Sequence, residues 1–129
     1  MIYRDETSLI PVSSKSVVIV AGSSFSLPVS VYRRNCVIVW EFESVKYDIL
    51  FGVLKISETD EKDPYTPVQP LLQYSPDELH YGKLAVEEPG RYVLLWDNTH
   101  SWLREKSVNL KVEMTRGTMT LNEKMNYSR

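Results

Sequence analysis

Cysteine is almost missing from this chain of 129 residues: Cys36 is the only one. An internal disulfide is therefore excluded, and a reducing compartment is the expectation. Cys36 opens a strand-like run, Cys36-Val-Ile-Val-Trp40. It reads as a small core hydrophobe, with Arg33 and Arg34 its only nearby cations. Long apolar runs are missing too. No stretch reaches the roughly 18 residues a membrane span requires, and the start has no secretory pattern. A basic excess is absent: 15 Lys and Arg stand against 17 Asp and Glu, a net charge of −2. That leaves no electrostatic footprint for nucleic acid, so none is expected as a partner. Histidine is scarce, and His80 and His100 lie far apart with no cysteine cluster between them. A zinc site is not expected. The acidic run Glu58, Asp60, Glu61, Asp63 lacks the ordered ligands and turn glycine of a calcium loop. No metal and no cofactor are expected.

What is present is a series of short β patterns. The organising stretch is Gly90-Arg-Tyr-Val-Leu-Leu-Trp-Asp-Asn-Thr-His-Ser-Trp102. Tyr92, Leu94 and Trp96 share one face at period two, and Val93 and Leu95 share the other. A strand apolar on both faces belongs inside a sheet or under a cover. Asp97-Asn98 is turn chemistry. With the strand predicted over Ser107–Met114, this stretch is expected to form a hairpin-like unit at the centre of the fold. Further strands are predicted over 15–21, 25–31, 36–42, 48–56, 71–74 and 80–86. Pro28 places the strand over 25–31 at an edge or a bulge. Gly52 interrupts an apolar strand, which implies that something bulky comes close, with Trp40 or Trp96 the expected ring.

About eight strands with regularly spaced turn signals, and no helical pattern, predict one all-β sandwich over 15–114. Residues 1–14 read as an extension. Residues 57–70, with Pro64, Pro67 and Pro70 among the acids, read as a mobile loop. Residues 115–129 read as a tail, or an edge strand at Thr118–Leu121. The sequon Asn126-Tyr127-Ser128 is discounted for a reducing compartment.

Three constellations bear on function. Asp97, His100 and Ser101 include hydrolytic residue types, but neighbours in one turn do not readily present triad geometry, and no catalytic residue is expected. Asp48 begins an apolar strand, where a carboxylate invites an ion pair; Lys106 or Arg104 is the expected cation, with Asp48 or Asp97 as its partner. The second faces of the central strands carry Val37, Val39, Leu50, Leu54, Val93 and Leu95, too many apolar residues for a wet surface. They require cover from the chain ends or from a partner. Trp102 follows a polar turn and is the candidate anchor, although a core position is the first expectation for it. A membrane-surface role would fall on Arg33, Arg34 and Lys46, if one loop edge gathered them.

Trp40-Glu41-Phe42, Tyr47-Asp48-Ile49-Leu50-Phe51-Gly52-Val53, Pro89-Gly90 through Lys106, and Val108–Glu113, in this order and spacing, resemble the GOLD (Golgi dynamics) domain over roughly residues 18 to 114. The resemblance implies a jelly-roll-like β-sandwich that binds protein partners in membrane traffic. The cytosolic branch is the more similar one; it occurs in Sec14-like proteins, an acyl-CoA-binding Golgi adaptor and a FYVE and coiled-coil autophagy adaptor. It implies a non-catalytic interaction module in the cytoplasm, at Golgi or endosomal membranes. The alternative is a peripheral membrane or lipid-binding module.

Overall fold

The computed structural model describes residues 9–60 and 62–116. Among them are eight strands and no helix: β1 Leu9–Ile19, β2 Ser24–Val31, β3 Cys36–Val45, β4 Ile49–Ile56, β5 Tyr65–Tyr74, β6 His80–Val86, β7 Gly90–Asp97 and β8 Lys106–Arg116. They form two four-stranded sheets of order β1-β8-β3-β6 and β2-β7-β4-β5, with every pairing antiparallel. The predicted β-sandwich is therefore the observed fold, and its strand order is that of a jelly roll. Four pairings are nested: β1 with β8, β2 with β7, β3 with β6 and β4 with β5. The chain behaves as one long hairpin, with its tip between β4 and β5, rolled into two layers.

This arrangement corrects the expected hairpin. β7 and β8 are consecutive but lie in different sheets, so residues 98–105 cross between the layers. Other limits shift as well: β8 takes in Thr115 and Arg116, expected as the start of the tail, because both pair with β3. Leu9–Ser14 belong to β1, not to an extension, because they pair along β8 from Leu9↔Thr115 onward. β3 runs on to Val45, past the turn expected at Ser44. The loop expected over 57–70 ends at Pro64, and β5 takes up Tyr65–Pro70. Pro67 and Pro70 fit there because β5 is an edge strand, where a missing N–H on the solvent side costs no ladder bond. Pro28 likewise lies in an edge strand, β2, as expected. The tail beyond Arg116, with the edge strand expected at Thr118–Leu121 and the sequon, lies outside the described residues.

The core is a layer of rings between the sheets. Phe42 of one sheet meets Phe51 of the other at 4.7 Å between centroids, and Trp96 lies 4.9 Å from Phe51 and 5.8 Å from Phe42. Trp40 and Tyr74 extend the layer on either side. Such offset and edge-on contacts suit the ring quadrupole and add to large apolar burial. Cys36 is buried and free, as expected.

Two glycines make room for close approach. At Gly52 the neighbour is backbone rather than the expected ring. A Cβ there would come within 3.0 Å of Leu71 Cα and 3.1 Å of Gln69 O, at the irregularity in the β4–β5 pairing. The ring of Trp40 lies instead over Gly82, its cross-strand partner in β6, where a Cβ would overlap the indole Nε1. Gly82→Ala must push an indole that is packed on Phe51, and overpacking of this kind costs about 1–3 kcal/mol. Thermal and urea unfolding of Gly82→Ala should show that loss; an unchanged midpoint would mean that Trp40 moves aside freely.

Candidate functional site

The loops divide between the two ends of the sandwich. Residues 20–23, 46–48, 75–79 and 98–105 lie at one end, and residues 32–35, 57–60, 62–64 and 87–89 at the other. The first end contains the site, and its organiser is Asn98. Its carboxamide Nδ2 donates to Ile19 O at 3.0 Å, Val20 O at 3.2 Å and Arg104 O at 2.9 Å. Its backbone N–H donates to Ser23 O, while its C=O accepts from Gly22 N–H and Ser101 N–H. One residue, 2% exposed, thus ties the β1–β2 turn to the crossing between β7 and β8. Ser101 closes the crossing: its hydroxyl donates to Arg104 O at 3.0 Å and accepts from Arg104 N–H at 3.1 Å.

Lys106 opens β8 with its side chain only 9% exposed. Its ammonium donates to Asp48 O at 2.7 Å and reaches Asp48 Oδ1 at 3.4 Å. Gln73 donates to the other oxygen of the same carboxylate. The ion pair expected at Asp48 is present, with Lys106 as its partner. Arg104 pairs elsewhere: it donates to the Tyr47 hydroxyl and lies over that ring at 4.5 Å. The Lys46 and Arg104 cations beside Tyr47 hold its phenol below the usual tyrosine range. Lys46 itself has a positive φ of 73°, and its N–H donates to Asp77 Oδ1 at 2.7 Å. A left-handed lysine is uncommon; here the Asp77 bond fixes the turn.

Tyr47, Asp48, Gln73, Asn98, Arg104 and Lys106 line a cavity of about 440 Å³, whose wall also includes Leu50, Asp97 and His100. Asp97 Oδ1 accepts from Thr99 N–H at 2.8 Å, an Asx turn. The Ser101 hydroxyl is committed to Arg104, and His100 is exposed, so Asp97, His100 and Ser101 do not form a relay. Between the lining residues Ser101 and Arg104, Trp102 and Leu103 are 89% and 94% exposed. Trp102 is therefore not in the core. The crossing that carries it runs outside both sheets, a placement that counting apolar residues along the sequence does not reveal.

The six apolar candidates divide between two surfaces. Leu50, Leu54, Val93 and Leu95 share the outer face of the β2-β7-β4-β5 sheet, through the pairs Leu54↔Val93 and Gly52↔Leu95. Val37 and Val39 are on the outer face of the other sheet, opposite Ala85 and Lys83. β3 and β4 are consecutive but in different layers, so their second faces point in opposite directions. Val93 is largely covered within its own sheet, between Pro28 and Leu54. The basic candidates separate as well. Arg33 and Arg34 precede β3 and Lys46 follows it, which puts ten residues of strand, roughly 33 Å, between them. No single loop edge gathers the three. In the sequence Asn98 reads only as a turn former. The signal for its larger role is the Asp-Asn pair directly after a buried tryptophan.

Asn98→Asp keeps the shape of the side chain but turns a carboxylate toward three carbonyl oxygens. The lost donors and the repulsion should destabilise the fold by about 2–4 kcal/mol in urea unfolding. A variant as stable as the parent would show that the three bonds are dispensable.

No family model matches the chain. Solved structures with similar strand arrangements include the coat protein of Tobacco streak virus, at 11% identity and TM-score 0.48, over 90% of each chain. The CBM36-1 domain of a multidomain xylanase from the hindgut metagenome of Trinervitermes trinervoides is similar at 6% identity and TM-score 0.47, over 83% of this chain and 94% of that one. The Yersinia pseudotuberculosis-derived mitogen is similar at 8% identity and TM-score 0.45, over 88% of this chain and 90% of that one.

Proposed function

We propose that the chain is a non-catalytic protein-interaction module of the GOLD type, serving a cytosolic protein of vesicle, Golgi or endosomal membrane traffic. The observation that carries this reading is the pair Trp102–Leu103, almost fully exposed on a crossing tied down by Asn98 and Ser101. Large apolar side chains held in water by an ordered backbone lose little entropy on docking and gain burial, which is how interface anchors work. The stretch Trp96-Asp97-Asn98 through Trp102 also carries the GOLD resemblance. Its parts act together. Trp96 seats the strand end in the core, Asn98 fixes the crossing, and Trp102 stands clear of it. Through Leu50, which lines the cavity, the surface continues onto the outer face with Leu54, Val93 and Leu95.

The peripheral-membrane alternative draws less support from the charges. Asp77, Glu78, Asp97 and Glu105 are in or beside the loops at this end. Lys46 and Arg104 are gathered around Tyr47, and Arg33 and Arg34 lie at the opposite end. An anionic bilayer would be repelled as much as attracted.

The test is capture of cytosolic proteins on the immobilised chain, with the captured species identified and their affinities measured. Trp102→Ala and Leu103→Ala should weaken a specific partner about tenfold or more each, while leaving the melting temperature unchanged. Tyr32→Ala, exposed at the other end, should change nothing. Equal binding by all variants would count against the loop. Salt-sensitive pelleting with anionic vesicles would favour the membrane reading instead.

A further inference from the structure

The sides of the sandwich are not equivalent. Four strands are edges: β1, β2, β5 and β6. Three of them contain proline, at Pro11, Pro28 and at Pro67 with Pro70. Proline removes the donors that a stray strand would use, and natural sheets blunt their edges in this way. β6, His80-Tyr-Gly-Lys-Leu-Ala-Val86, has none. Among the described residues its only ladder is with β3. The side formed by β5 and β6 is also the apolar one. Tyr65, Val68, Leu71, Leu72 and Tyr81 are all exposed there, Tyr81 to 72%. A groove of about 330 Å³ opens beside the two strands, with Val68, Leu84, Ala85 and Tyr92 in its wall and Lys55, Glu87 and Glu88 at its charged end.

We infer that this side is a self-association surface, on which β6 pairs antiparallel with β6 of a second copy to join two sheets into one of eight strands. The occupant follows from the order of residues in β6. Two-fold pairing centred on Lys83 would set lysine against lysine, which is unfavourable for directly opposed side chains. Centred on Gly82, each Tyr81 faces Lys83 of the second copy, two cation–π pairs on the outer face. His80 then faces Leu84 of the second copy. Gly82 meets its own counterpart, and no side chain is pushed toward the Trp40 indoles that lie over it. The same two-fold axis brings the second β5 alongside the first. Pro67 and Pro70 prevent a β5–β5 ladder but not side-chain contact, so Val68, Leu71 and Leu72 cover their counterparts. A closed isologous contact of this kind stops at two copies. It uses a different surface from the Trp102 end and does not rest on the reading given to that end.

Sedimentation equilibrium of the 129-residue chain should show a concentration-dependent dimer. Tyr81→Lys sets lysine opposite lysine and should weaken the dimer by at least about tenfold. The double variant Tyr81→Lys with Lys83→Glu restores opposite charges in that register and should restore the dimer. Trp102→Ala should leave it untouched. A parent that stays monomeric at high concentration, a Tyr81→Lys dimer as tight as the parent's, or a double variant no tighter than Tyr81→Lys would each overturn the inference.

Discussion

The contact on which the rest of the fold depends is the meeting of Phe42, Phe51 and Trp96 between the sheets. The nested pairings bring together strands far apart in sequence, up to β1 with β8. Closing such loops costs entropy before any ladder bond repays it. Three large rings, one from the β1-β8-β3-β6 sheet and two from the other, supply burial at the point where both layers must register. Trp40 then locks β3 to β6 by lying over Gly82. That contact orders the edge whose pairing potential is left open. Core packing and surface chemistry are thus linked through one indole.

The polar end follows a different rule. There the chain leaves one sheet and enters the other four times, and each crossing exposes carbonyls that no ladder satisfies. Asn98 answers three of them with one carboxamide, and Lys106 answers another at Asp48. Pairing lowers the cost of burying these donors, while the Asn98 Oδ1 and the Trp96 Nε1 are buried without a partner among the described residues. A side effect of so much pairing is that the crossing between β7 and β8 cannot collapse onto the core. Its apolar residues, Trp102 and Leu103, remain outside.

Much of this is legible in the sequence, for physical reasons. Period-two burial is a local property, so β2, β4, β6 and β7 fall within a residue or so of their expected limits. The Asp48–Lys106 pair is foreseeable because a carboxylate at the head of an apolar strand needs a cation. Sheet membership is not legible, because a jelly roll separates neighbours in sequence and no local pattern records which layer a strand joins. The same blindness joins Val37 and Val39 to Leu50 and Leu54 as one surface. β5 is hidden by prolines that only an edge position makes harmless. Trp102 is drawn toward the core by its hydrophobicity, while the partners that hold its loop away, Ile19 and Val20, lie about eighty positions earlier.

Because β1 and β8 pair from Leu9↔Thr115 to Ile19↔Lys106, the two ends of the described fold leave side by side. They do so at the pole opposite residues 98–105, an eleven-residue strand away. A sandwich of this kind can be spliced into a surface loop of another protein through a gap little wider than one strand spacing, about 5 Å. Such a cassette would stand upright on its two stems, with Trp102 and Leu103 at its summit.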